Sequence, residues 1–400
     1  MTTMNPLVPL RIMLGCSFRS QWNLLKFCWN GNGAVRAFER RLNKGEPFFP
    51  AFIMMSITNR CNLHCKGCWV EQTQPPMALS LKQMQGIVDT AGKYDSKFFG
   101  LLGGEPLLHP DVMTLIENNP QAYFQLFTNG TLLNDDICAR LAKLGNVTPL
   151  ISIEGMETES RLRRGRDDVF AKSIAALESA VKAKLFTGVA ASINRNNYDE
   201  LVSTEYLDFL VKKGVHYIWY YIYRPCGSSP EPERALDVEQ IVGLRRFIVE
   251  QRRMAKLMII DAYWDADGNA VCPGAMGLSH HIAPNGAVEF CPIVQSTGDY
   301  LNEDASNLEE IFQKNPYLKQ LREFSVQNGR NCLPMEAPHE LKDFLAAKKA
   351  IDSSNRDYPQ ELAAAAPLPC HHVPGQELPE KSLAYRWGKR HYFFGFGAYG

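Results

Sequence analysis

The chain has 400 residues, 45% hydrophobic and 22% charged, with 43 Lys and Arg balancing 43 Asp and Glu. That composition suits a folded protein with one large unit and a smaller one, and zero net charge gives no basis for nucleic-acid binding. No apolar run approaches the roughly 18 residues that a bilayer span needs, and no charged start, apolar stretch and small-residue cleavage site mark a secretory signal. In a chain thus expected in the cytoplasm, the eleven cysteines are not a disulfide framework, and clustered cysteines there hold metal or react.

Residues 1–50 are expected to form a basic N-terminal helical segment. They carry seven Lys and Arg against two Glu, interleaved with Phe18, Trp22, Phe27 and Trp29. Cations mixed with aromatic side chains suit an anionic membrane surface, or packing on the body of the protein with the charges in water.

Residues 51–225 alternate β-rich runs with amphipathic helical stretches. The runs are 52–58, 97–104, 123–130, 148–155, 187–194 and 216–223, bounded by Gly, Asn or Pro and almost continuously apolar, as in parallel strands covered on both faces. Ser80 with Gln83 forms a capping box; Gly145 and Gly214 stop the helices 135–144 and 200–213. Ile174, Leu177 and Val181 stripe a helix over 169–184. The fold class expected is α/β, a partial (β/α)6 TIM-type barrel with its active site at the strand C-termini, plus a smaller C-terminal α+β auxiliary domain.

Past Pro225 the alternation stops. Residues 226–350 read as the second unit, with a helix over 237–256, a strand over 257–263 and a hairpin over 282–293 turning at Pro284-Asn285-Gly286. Residues 351–400 read as a Pro- and Ala-rich linker to about 380, then a basic aromatic tail. The tail holds Lys381, Arg386, Lys389 and Arg390 with seven aromatics from Tyr385 to Tyr399.

Cys61, Cys65 and Cys68 sit on one short loop directly after the first strand. Three thiolates can each ligate a different iron of a cubane cluster and leave the fourth iron open to a small molecule. A structural zinc site would close its tetrahedron with four protein ligands. Zinc remains the alternative for these residues taken alone.

This CxxxCxxC loop resembles the signature of the radical S-adenosylmethionine (SAM) superfamily. Gly103-Gly104-Glu105-Pro106 at the next strand end resembles that family's GGEP motif. Ser152-Ile153-Glu154-Gly155 resembles its Ser-Ile/Leu-Asp-Gly segment with Glu for Asp, and Arg164-Gly165 follows as in many members. One departure is Gly67, where the family usually has an aromatic residue; Trp69 stands just after. The resemblance implies a [4Fe-4S] cluster on Cys61, Cys65 and Cys68, SAM on the open iron, a 5′-deoxyadenosyl radical, and a flavodoxin or ferredoxin-type electron donor. Gly103 and Gly104 would offer carbonyls to the SAM ammonium, with the Glu105 charge nearby. Thr128, Asn129, Ser152 and Asn194 stand at strand ends, able to meet ribose or carboxylate and equally suited to turns and caps. Arg164 can clamp a carboxylate or be a surface arginine in a basic run.

Cys272, then Gly286 followed by Cys291, resembles the start of the SPASM/twitch extensions that carry an auxiliary [4Fe-4S] cluster; Cys332, after a helix over 307–324, continues that layout. Cys226, Cys370 beside His371 and His372, or a non-protein group can complete the ligand set. Cys226 can otherwise be an active-site thiol that donates a hydrogen atom. Zinc or unpaired thiols is the plainer reading. Cys16, Cys28 and Cys138 read as buried small hydrophobes. His109 reads as structural, and Asp261, Asp265 and Asp267 as a solvated loop. The function expected is hydrogen abstraction from a small-molecule or lipid substrate, with peptide modification and non-enzymatic zinc binding as alternatives. The location expected is the cytoplasm, with peripheral contact on the inner membrane face.

Overall fold

The structure, a computed structural model, describes residues 4–391. All six expected strands form: β1 (Phe52–Thr58), β2 (Phe98–Gly103), β3 (Tyr123–Thr128), β4 (Val147–Ser152), β5 (Gly188–Ile193) and β6 (Tyr217–Ile222). Each pairs in parallel with the next. Alternate side chains explain why these strands read as almost wholly apolar. In β1, Ile53, Met55 and Ile57 pack with the surrounding helices, whereas Phe52 and Met54 join a second apolar cluster on the opposite face.

The expected caps are present. Ser80 and Gln83 form a complete capping box, and Gly145 takes the left-handed conformation at φ 72. The helix expected over 200–213 is instead two, Tyr198–Leu201 and Thr204–Lys212, because Ser203 caps the second one.

The segment 226–350 joins both edges of the barrel sheet. β7 (Met258–Ile260) extends it beyond β6 in parallel. At the other edge β8 (Ser279–Ile282) pairs in parallel with β1, and the expected hairpin turns at Gly286 into β9 (Ala287–Cys291). β10 (Val294–Tyr300) and β11 (Ile351–Asp352) complete one sheet in the order β11-β10-β9-β8-β1-β2-β3-β4-β5-β6-β7. A buried relay fastens β8 to β1: Ser56 Oγ lies 2.8 Å from His281 Nε2, whose Nδ1 lies 2.6 Å from Glu289.

The stretch read as a linker is packed rather than loose. The helix Tyr358–Ala364 lies in it, Tyr358 and Leu362 are buried, and Cys370 and His371 are fully enclosed. Irregular backbone buries side chains without showing a period, so the pattern of residues hid it. Asp261 likewise belongs to no solvated loop. It is fully buried in an ion cluster with Arg245, Arg252, Glu380 and Lys389, the last donating to Asp261 at 3.2 Å. Lys389 and Arg386, which bridges Asp267 at 2.9 Å, are thus spent on the protein rather than offered to a membrane. Arg390 keeps no described side chain, and the aromatics from Tyr392 onward lie outside the described residues.

Candidate functional site

A cavity of about 420 Å3 opens at the C-terminal ends of the strands. It is lined from the barrel side by Cys61, Cys65, Cys68, Gly103, Gly104, Thr128, Asn129, Ser152 and Arg164, and from the later segment by Cys226, Cys272, Cys291 and Cys332. Sequence-predicted residues from both units thus share one chamber. Glu105 and Asn194 do not reach it. All eleven cysteines are free thiols. Among the described residues, no three Cys, His, Asp or Glu side chains converge tightly enough to grip a single ion.

The cysteine loop is held by the motif after β2. Gly104 N donates to Thr58 O at 2.8 Å and Glu105 N to Arg60 O at 2.9 Å. A Cβ on Gly103 would strike Thr58 O and one on Gly104 would strike Arg60 O, so both glycines are needed for this close backbone approach. Asn129 continues the strapping: its amide donates to Asn62 Oδ1 at 2.9 Å and reaches Cys61 Sγ at 3.9 Å.

Glu105 is fully buried behind this wall. Its carboxylate accepts from Thr128 Oγ1 at 2.8 Å, Asn129 N at 2.8 Å and Leu107 N at 3.2 Å. Burial pushes its carboxyl up to about 7 against the pull of those three donors. The structure therefore makes Glu105 a tie between β2 and β3 rather than a charge facing a ligand. Thr128 is spent on the same tie. Asn194 accepts from Asn196 N at 2.9 Å and caps a turn.

Arg164 lies beside the thiols, not on the surface. Its guanidinium donates to Glu154 at 2.6 Å and approaches Cys65 Sγ at 3.6 Å. Glu154 also accepts from Arg163 at 3.2 Å and from Ser192 N at 2.9 Å, so the acid that replaces the usual Asp anchors both arginines. Burial pushes the Cys61 thiol up to about 11 and raises that of Cys68 as well.

Gly67 also finds its reason. It sits at φ 63, and a Cβ there would collide with the Tyr223 hydroxyl. An aromatic ring from the end of β6 thus fills the space beside the cysteine loop, with Arg163 over its face at 5.4 Å.

The second thiol group is equally ordered. Arg224 donates Nε to Cys332 Sγ at 3.1 Å and lies over the Tyr263 ring at 5.0 Å. A hydrogen bond from Cys370, then this cation, hold the Cys332 thiol well below its usual range, while burial and that bond raise Cys370. His371 Nδ1 lies 3.2 Å from Cys370 Sγ. Burial raises the Cys291 thiol, and the neighbouring sulfurs of Cys272 and Cys332 raise it further. These three cysteines are near enough to feel one another's charge, and Cys370 stands beside them behind the cavity wall. Cys226 lines the chamber with its Sγ donating to Arg224 O at 3.4 Å, and burial pushes it up to about 12. His109 is structural as expected, its Nε2 2.9 Å from Leu79 O. Sequence reading missed Tyr223 and Arg224, for which no local spacing gives a signal.

Residues 55–205 match the radical SAM superfamily. The chain is 26% identical over 275 residues to the sporulation killing factor maturation protein SkfB of Bacillus subtilis, covering 65% of this chain and 64% of the relative. It is 25% identical over 215 residues to the AdoMet-dependent heme synthase of Methanosarcina barkeri, covering 52% and 61%. The chain thus spans just under two thirds of these relatives. Among solved structures it resembles Streptococcus suis SuiB bound to S-adenosylmethionine, with 72% of each chain covered, a TM-score of 0.61 and 19% identity, a likeness of fold. Across residues 55–205, which hold the first five barrel strands and the thiol loop at their mouth, the chain carries the radical SAM superfamily match.

Proposed function

We propose that this protein is a radical SAM enzyme that abstracts hydrogen from a small-molecule or lipid substrate in the shared chamber. Cys61, Cys65 and Cys68 would hold a [4Fe-4S] cluster, with Gly103, Gly104, Asn129, Ser152 and Arg164 around bound SAM. When bound, that pair supplies a 5′-deoxyadenosyl radical on one-electron reduction from a flavodoxin or ferredoxin-type donor. The observation that carries the reading is the convergence of these side chains on one cavity at the strand ends.

The chain's own residues position and shield. The Gly103-Gly104 strap and Asn129 fix the cysteine loop to the sheet. Glu154 holds the Arg164 guanidinium beside Cys65 Sγ. Tyr223 and the aromatic Trp219 and Tyr221 wall the cavity against water. Cys272, Cys291 and Cys332 fit an auxiliary [4Fe-4S] cluster, and the Cys332–Cys370 contact favours Cys370 as the fourth ligand. Cys226, between the two thiol groups and kept protonated by burial, fits a hydrogen-atom donor. The compartment proposed is the reducing cytoplasm, with contact on the inner membrane face.

Peptide modification is the second reading. It is favoured by the likeness to SkfB, named a maturation protein, and to SuiB, which has been seen bound to its precursor peptide SuiA.

The test is anaerobic reconstitution followed by measurement of iron, sulfide, zinc and 5′-deoxyadenosine. Replacing Cys61, Cys65 or Cys68 by Ala should abolish SAM cleavage. Cleavage at the wild-type rate in any of the three, or a colourless protein with stoichiometric zinc, would reject the reading.

A further inference from the structure

α1 (Leu7–Gly15) and α2 (Phe18–Lys44) lie across the N-terminal ends of the barrel strands, opposite the cysteine-lined mouth. Phe27 stacks on Tyr123 at 4.6 Å and meets Phe98 at 5.2 Å, the residues that open β3 and β2. Asn23 reaches Leu144 O just before β4, Ser17 N donates to Lys184 O before β5, and Cys16 meets His216 before β6. The inner face of α2, through Phe27, Ala34, Val35 and Phe38, therefore closes the barrel floor.

The outer face is apolar too. On α2, Phe18 is 82% exposed, Trp22 52%, Leu25 64% and Trp29 82%. Their spacing of i, i+4, i+7 and i+11 sets them in one stripe opposite the buried residues. On α1, Met13 and Leu14 are 61% and 72% exposed. A soluble surface seldom gathers large apolar side chains so closely without an occupant. Arg19, Lys26, Arg36 and Arg40 are exposed on the same helix, and residues 1–38 contain no Asp or Glu.

We propose that this outer face docks on an anionic lipid bilayer, holding the barrel by its floor with the cysteine-lined mouth turned to the aqueous side. Lipid headgroup phosphates balance the excess of cations over the single acid Glu39, and the stripe of Phe, Trp and Leu enters the headgroup boundary. A second copy of the chain fits less well. A twofold contact would set Arg19, Lys26 and Arg36 against their own counterparts, with Glu39 the one acid on either helix to offset them.

The test is flotation of the full-length, iron-loaded protein with vesicles of phosphatidylcholine alone, or with about one-third phosphatidylglycerol. Wild type should float with the anionic vesicles only and be released by salt. Removing Arg19 and Lys26 together as Gln should weaken partitioning by about tenfold or more, at about fivefold for each cation. Phe18→Gln with Trp29→Gln should abolish it. Absence of flotation at either composition, or flotation unchanged in both variants, overturns the proposal. So does a dimer in light scattering that these substitutions disperse while vesicles go unbound, which assigns the face to self-association. SAM cleavage should be unchanged in every variant, so the docking proposal and the enzymatic one fail separately.

Discussion

Glu105→Gln separates a ligand-facing acid from a structural tie. In the wild type, three donors converge on the carboxyl group, and burial lifts its pKa from 4.5 to about 7. Between those two values the unfolded chain has lost its proton while the folded chain keeps it, so stability falls as pH rises through that window. A shift of that size corresponds to about 3 kcal/mol. Gln cannot titrate, and its amide must set an N–H against a backbone or hydroxyl donor, costing about 1–3 kcal/mol at every pH. The variant should therefore be the less stable protein near about pH 5 and should close most of that gap by about pH 8. Urea unfolding midpoints of both cluster-free proteins across that range measure it. A gap that stays flat with pH would show that the buried carboxyl titrates as in water. A variant of wild-type stability with weakened SAM binding would return Glu105 to the ligand and refute the reasoning.

Cys370→Ser should remove about half the iron of a two-cluster protein while SAM cleavage persists; iron content unchanged by chemical analysis would discard Cys370 as a ligand. Asp261→Asn leaves Arg245, Arg252 and Lys389 around Glu380 alone, and should cost about 3–5 kcal/mol in the unfolding midpoint. Lys389→Met relieves that surplus of cations and should cost less than half as much; equal losses would deny that charge balance governs this cluster. Gly67→Ala forces a side chain into a left-handed conformation and onto Tyr223, and should cost about 1–3 kcal/mol. Tyr223→Phe in the same chain should recover part of that, and no recovery would place the strain in the backbone alone.

How much was legible in the residues follows from the range of the interactions. The six strands were readable because Phe, Ile, Val and Tyr recur locally on both strand faces. The thiol loop was readable because Cys61, Cys65 and Cys68 fall within eight residues. Glu105 was misjudged because a motif gives a residue's address, not its direction, and here the carboxylate turns inward to Thr128 and Asn129. Cys370 looked like part of a linker because its partners, Cys332 and Glu336, lie more than thirty residues away. The C-terminal cations looked exposed for the same reason, since Asp261 is 128 residues before Lys389.

The pairing of β8 with β1 carries a mechanical consequence. The strand leading to Cys61 and the hairpin leading to Cys291 are neighbours in one hydrogen-bonded ladder, pinned by Ser56, His281 and Glu289. The separation of the two sulfur groups is thus set in part by paired strands. A substrate seated between them would meet jaws set by that shared ladder, so the size and shape of what enters would govern selection.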